Sequence, residues 1–444
     1  MNHTSSTVKV LLACMVGFSM AATSSVLALA ADPVKQSVIG NMPLDGCLQS
    51  GSQSTVPSSR TSIEQRIVAC SNAIQSRKLT PGELAVARLN RGAARMALGE
   101  TILASGDYRE ALRHYDNAID SGAPDALALY RRGVAQYALG QTDKALSDFN
   151  AAIRLDPKEP LAYFERAILL AARKRAYDRA VADFDKVLVL VPEDIDTLIR
   201  RGDAQGQMGD FGRALADLDR AVRLAPDRVD AYVYRGRAKS RQGDIVSALS
   251  DYNAAIKLDP RNVEALVSRA ALYSTNRQDD LALRDLDAAV AVDGSNPVAL
   301  YNRGYAHFAK RAYGPAIADY SAAIQLDPEM GLAYNNRCLT RTIVGTDLVG
   351  ALSDCDRALK ADPTNLDVRE TRGFIYLKLG DPAISIVEYN AALDVDPNRA
   401  IALFGRGLAK IKMGQRKDGD ADQAAARALN SSVETQFSTY GVTE

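Results

Sequence analysis

The chain has 444 residues with 54 basic and 54 acidic side chains, so its formal net charge at pH 7 is zero. An even balance excludes both the basic excess that draws a protein to nucleic acid and the acidic excess of a solvating, disordered chain. Tryptophan is absent and histidine occurs only at His3, His114 and His307, too sparse for a histidine-based metal or catalytic centre.

Residues 1–30 read as an export signal. Lys9 follows a short polar start, an apolar run covers Val10 to Ala22, and Ala28-Leu29-Ala30 supplies a small-residue cleavage site. Leu11-Leu12-Ala13-Cys14 faintly resembles a lipoprotein box, but Lys9 stands too close to leave an apolar stretch before it. The mature chain is therefore expected to be exported, periplasmic or secreted, with no membrane span once the signal is removed. Residues 31–60 are a polar lead-in, with Ser50 to Thr55 and Pro57-Ser58-Ser59 reading as loop. Residues 61–84 hold one capping helix around Ile67 to Ile74. From 85 to 430 the chain repeats about every 34 residues, giving about ten units.

Each unit carries two stretches of 3.6-residue periodicity and so two helices. In the copy at 229–262, Val229 to Gln242 forms the first, Gly243-Asp244 the turn, and Ile245 to Leu258 the second. Asp259-Pro260 stops it. Equivalent prolines fall at Pro157, Pro192, Pro226, Pro328, Pro363 and Pro397. In the first unit Arg91-Gly92 and Ala111 stand seven residues further apart than elsewhere, which implies a longer first helix or turn. Residues 431–444 read as a polar, frayed tail.

Export bears on the cysteines. Removing the signal leaves Cys47, Cys70, Cys338 and Cys355, an even number in an oxidising compartment. Three pairings are open, and in an extended array the local ones, Cys47–Cys70 and Cys338–Cys355, are expected. A buried Cys338 also serves as a small hydrophobe. Neither spacing is C-x-x-C, and no metal site is expected.

Small residues recur at one position (Gly133, Ala167, Gly202, Gly236, Ala270, Gly304, Cys338, Gly373, Gly407) and alanines at two others. Close-packed antiparallel helices need such notches. An arginine precedes each notch, from Arg91 and Arg132 through Arg406, and an acid follows 16 or 17 residues later, from Asp148 to Asp422. This ladder is either an anion-binding stripe or a set of guanidinium–carboxylate pairs between facing helices, and the spacing favours pairs. Only the first unit breaks it, with His114 at the acid's place.

The pattern of small residue, alanine, aromatic, alanine and proline resembles the tetratricopeptide repeat family, including its exported bacterial members, over about four-fifths of the chain. The resemblance implies an all-α, right-handed superhelical solenoid of antiparallel helix pairs whose first helices line a concave groove. It also implies a non-catalytic scaffold binding protein or peptide segments there. By resemblance the groove contacts are Asn90, Tyr130, Arg131, Asp203, Tyr234, Arg237, Asn302, Tyr305 and Asn336. Asparagine amides at such places hydrogen-bond extended peptide backbones. A cell-envelope glycan is the alternative ligand, stacked on Tyr130, Tyr234, Tyr301 and Tyr305. No phosphate loop, H-E-x-x-H or G-x-S-x-G occurs, so neither an enzyme nor a cofactor is expected. Protein partners are expected and nucleic acid is not; the sequence does not set the oligomeric state.

Overall fold

The computed structural model describes Cys47 and residues 60–120 and 125–439. The expected signal and nearly all of the lead-in lie outside the described residues. The chain divides into two compact units, one spanning Ser25–Leu258 and the other containing Asp259–Glu444. All regular structure among the described residues is helical, in 22 helices, and none is long and apolar enough to cross a membrane.

The first unit contains α1 (Arg60–Gln75), α2 (Pro81–Ala97), α3 (Thr101–Asp120), α4 (Ala126–Ala138), α5 (Thr142–Leu155) and α6 (Pro160–Lys174). It continues with α7 (Tyr177–Leu190), α8 (Ile195–Gln207), α9 (Phe211–Leu224), α10 (Val229–Gln242) and α11 (Ile245–Leu258). The second contains α12 (Val263–Thr275), α13 (Asp279–Val292), α14 (Pro297–Ala309), α15 (Tyr313–Leu326), α16 (Gly331–Val344) and α17 (Leu348–Ala361). Then come α18 (Leu366–Leu379), α19 (Pro382–Leu393), α20 (Ala400–Lys412), α21 (Arg416–Leu429) and α22 (Val433–Thr439). Successive helices from α2–α3 to α20–α21 pack as ten pairs.

Most pairs begin with a side-chain cap and all turn through the left-handed region. Asp125, Asp194, Asn262, Asn296 and Asn365 cap first helices by accepting a backbone N–H two residues into the helix. Thr80 and Glu83 form a reciprocal capping box that starts α2 four residues before the expected unit boundary at 85. First helices end in the left-handed region, at Gly243 with φ 92° for example. Arg311 holds the equivalent place with φ 60°, a conformation that strains a residue bearing a Cβ.

The notches are real close approaches. A Cβ on Gly133 would lie 2.7 Å from the Phe149 ring, and one on Gly236 2.8 Å from Tyr252. Phe149, Tyr252, Tyr320 and Tyr389 are fully buried behind them. At the eighth pair the two positions are Cys338 and Cys355, joined by a disulfide with their Cα atoms 5.5 Å apart. The second disulfide, Cys47–Cys70, ties the lead-in to α1.

The arginine ladder is internal. In the regular pairs the guanidinium grips both oxygens of the facing acid, as in Arg235 Nε–Asp251 Oδ2 (3.0 Å) and Nη2–Oδ1 (2.6 Å). The Asp251 side chain is only 5% exposed. The remaining nitrogen reaches back to the preceding second helix: Arg132 to Asp116, Arg201 to Asp185, and Arg235 to Asp219 in the first unit. In the second unit Arg303 reaches Asp287 and Arg372 reaches Asp356. One side chain thus clasps three helices, with charge-assisted bonds worth more than exposed surface pairs.

Two expectations need correction. The first unit keeps the ladder, because Arg91 pairs bidentately with Asp107 rather than facing His114. Its extra length lies at the end of α3, not in the first helix or the turn. Seven residues are close to two turns, so α3 presents the motif twice on one face. Ala104, Asp107 and Tyr108 serve their own pair, while seven residues on, Ala111 and Tyr115 are buried and Asp116 receives Arg132. Second, the expected polar tail contains α22. Val433 and Phe437 are buried, and the Phe437 ring stands 4.9 Å from Phe404 and 5.4 Å from Phe374. Burying one such aromatic contributes roughly 2 kcal/mol, enough to hold a two-turn helix over the end of the array.

Candidate functional site

The first helices α4, α6, α8 and α10 carry a polar stripe built by the repeat itself. The residue just before each ladder arginine is Arg131, Glu165, Arg200 and Tyr234 in turn. One turn further on, α8 and α10 place Asp203 beside Arg237, and one turn beyond that Gln207 beside Arg241. Each α8 residue thus meets the α10 residue 34 positions later.

The contacts bear this out. Arg200 Nη1 donates to Tyr234 Oη at 2.5 Å, and the guanidinium carbons of Arg200 and Arg237 stand 5.2 and 4.8 Å from the Tyr234 ring centre. Arg237 lies 3.6 Å from Asp203, and Arg241 donates to Gln207 Oε1 at 2.5 Å. At the helix starts Arg228 bridges Asp196 and Asp230. Burial opposes the Asp230 charge, but the Arg228 hydrogen bonds outweigh it and hold the carboxyl below its usual range. Arg131 has no ion pair among the described residues.

Glu165 is the anomaly in the stripe. It is 2% exposed, and its Oε2 has no hydrogen-bond partner. Burial pushes its carboxyl up to about 8, against the opposing pull of Arg200. At neutral pH it is mostly protonated, leaving Arg200 less compensated than a count of side chains implies. The second unit holds a contrasting buried acid: Glu370 accepts from Arg399 Nε and Nη2, each at 2.7 Å.

Of the residues expected to line the groove, Arg131, Asp203, Tyr234 and Arg237 fall on this stripe. Tyr234 is 4% exposed and held between arginines; Tyr130 is 3% exposed and packs toward Phe149. Asn90 donates to the Cys47 carbonyl at 3.0 Å, fastening the lead-in. Asn302 and Asn336 are buried, donating to Val298 O and Tyr301 Oη. Neither offers an amide to an extended peptide. Tyr305 is partly exposed, whereas Tyr301 is buried. Sequence reasoning missed Glu165, Arg200, Gln207 and Arg241, although extending the columns at Tyr234 and Arg237 by one period and one turn reaches them.

Among the described residues no group of three or more His, Cys, Asp or Glu side chains is placed to hold a metal ion. Two sequence models described as tetratricopeptide repeat match the chain, one over residues 96–160, 135–195, 268–330 and 372–434, the other over 167–239. Comparison with curated protein sequences gives no match. Among solved structures, a tetratricopeptide repeat protein from Parabacteroides merdae is 19% identical with a TM-score of 0.47, over 58% of this chain and 99% of that one. The human IFIT1 dimer with m7Gppp-AAAA is 16% identical with a TM-score of 0.49, over 83% and 94%. YrrB, a TPR protein with an unusual peptide-binding site, is 24% identical with a TM-score of 0.34, over 42% and 95%. At such identities and scores nothing about function is drawn from them.

Proposed function

The chain belongs to the tetratricopeptide repeat family, and we propose that it is an exported scaffold binding an acidic protein segment along the face of α4, α6, α8 and α10. The observation that carries this reading is the stripe of Arg131, Arg200, Arg237 and Arg241, whose one acid on α6, Glu165, is kept mostly protonated by burial. Asp203 compensates Arg237 and Arg200 spends a donor on Tyr234, but among the described residues Arg241 is met only by the neutral Gln207. Guanidinium forks set on rigid helices present donors to carboxylates without reorganisation. Several weak contacts along one segment add up through effective concentration. Export rests on the leader-like residues 1–30, and two disulfides fit an oxidising compartment.

The glycan alternative is weakened, because Tyr130, Tyr234 and Tyr301 are buried and present no ring face to a sugar. The test is fluorescence anisotropy with a labelled Asp/Glu-rich peptide against the mature chain and an Arg131→Glu, Arg241→Glu variant. Salt-sensitive binding by wild type, weakened about tenfold or more in the variant, is expected. Equal binding of a Lys-rich peptide, or unchanged binding by the variant, rules the reading out. Crosslinking capture from the envelope then identifies the partner.

A further inference from the structure

The ladder acids take a second cation in four of the ten pairs. Three residues after the notch, Arg95, Lys239, Arg341 and Lys410 each reach the Oδ2 atom that the ladder arginine already holds. The distances are 2.7 Å to Asp107, 2.8 Å to Asp251, 2.9 Å to Asp354 and 2.8 Å to Asp422. His307 approaches Asp319 at the same position, 3.8 Å away. In the α4–α5 pair this place belongs to Gln136, which brings no charge. Its side chain is 94% buried, and its Oε1 has no hydrogen-bond partner. Gln141 Oε1 is likewise buried and unpartnered.

Where four other pairs hold a second cation, this one has a cleft of about 330 Å³ lined by Asp116, Gln136, Gln141, Ser147 and Asp148. Arg132 forms one wall, its donors committed to Asp148 and Asp116. Lys144 stands exposed at the mouth and pairs with neither carboxylate. Two carboxylates and two vacant amide acceptors converge where a lysine ammonium sits in α10–α11 and α20–α21. A buried acceptor left unmatched costs free energy that a fitting donor recovers. We propose that this cleft between α3, α4 and α5 binds a primary alkylammonium group, supplied from outside the array, in the place that Lys239 and Lys410 fill from within it.

The full mature chain is titrated calorimetrically with 1,5-diaminopentane, with Nα-acetyl-lysine methylamide, and with 1,5-pentanediol as the uncharged control. Saturable binding of an amine and none of the diol is expected. Response to the diamine alone indicates a free amine, and response to both indicates a lysine side chain on a polypeptide. Gln136→Lys places an internal ammonium on Asp148 and should weaken binding at least about tenfold, the scale of a lost charge-assisted bond. Gln205→Lys, at the same position of α8, should leave it unchanged. Asp116→Asn gives a second reading should Gln136→Lys fail to fold. Absence of saturable amine binding, equal binding of the diol, or undiminished affinity in folded Gln136→Lys overturns the assignment.

Discussion

In α10–α11 the helix crossing closes on Gly236 against Tyr252, whereas in α16–α17 the same two positions are Cys338 and Cys355, joined covalently. The charged frame around both is nearly identical: Arg235 and Lys239 on Asp251 in one, Arg337 and Arg341 on Asp354 in the other. The first-helix faces diverge. Tyr234, Arg237 and Arg241 in α10 become Asn336, Leu339 and Ile343 in α16. The comparison teaches that the interior admits more than one closure provided charges stay matched, while the residues along the first helix differ from pair to pair.

The largest effect should come from undoing the covalent closure. Cys338→Ala with Cys355→Ala should lower stability by about 3 kcal/mol, the scale for a disulfide closing a loop of this length. Cys338→Gly with Cys355→Tyr transplants the α10–α11 closure and should recover most of that loss in urea unfolding, with no response to reductant. Failure to recover would mean the two closures are not interchangeable. Next, Asp251→Ala and Asp354→Ala each strand two partly buried cations and should cost about 2–3 kcal/mol apiece. A large effect in one pair and none in the other would break the claim of a common frame.

A third test separates the charged first-helix face from the neutral one by pH. Burial raises the Glu165 carboxyl in the folded chain, so its contribution is full below the unfolded carboxyl range and is lost as pH rises toward about 8. Between about pH 6 and 7 wild type should lose roughly 1–1.5 kcal/mol through this group. In that interval the fold holds one proton that the unfolded chain has released, which costs about 1.4 kcal/mol per pH unit. Glu165→Gln should flatten the loss, read as Tm against pH, whereas Asn302→Ala should leave the pH profile alone. The smallest effect is a gain. Arg311 ends α14 in the left-handed region where α10 and α16 end on Gly243 and Gly345, so Arg311→Gly should stabilise by about 0.5–1 kcal/mol in thermal melts. The reverse exchange, Gly243→Arg, should cost about 1 kcal/mol.

What the sequence disclosed follows from what a fixed period can encode. Gly133 with Phe149, Arg132 with Asp148 and the prolines after each pair repeat in type and spacing, so they define the interior without reference to coordinates. The register of α3 escaped because a seven-residue insertion leaves the helix face unchanged and offers two valid alignments, of which Asp107 completes the correct one. The groove residues were partly misjudged because a column in sequence does not say how closely successive first helices approach. In α16 the column residue Asn336 is buried on Tyr301, while in α4 its counterpart Arg131 stays partly exposed. The α22 helix was missed because Val433 and Phe437 make one isolated pair four residues apart, too short a pattern to mark amphipathicity.

The three-helix grip of ladder arginines such as Arg201 and Arg235 also bears on how such a chain can grow. A segment of one period, cut from Arg201 to just before Arg235, contains one ladder arginine, the acid it faces at Asp217, and the docking group Asp219 for the ladder arginine that follows. Duplicating or deleting that segment leaves every junction with one donor set and one acceptor set. Copy number can therefore drift by recombination without breaking the ladder, and the length of the array becomes adjustable independently of the ladder's chemistry.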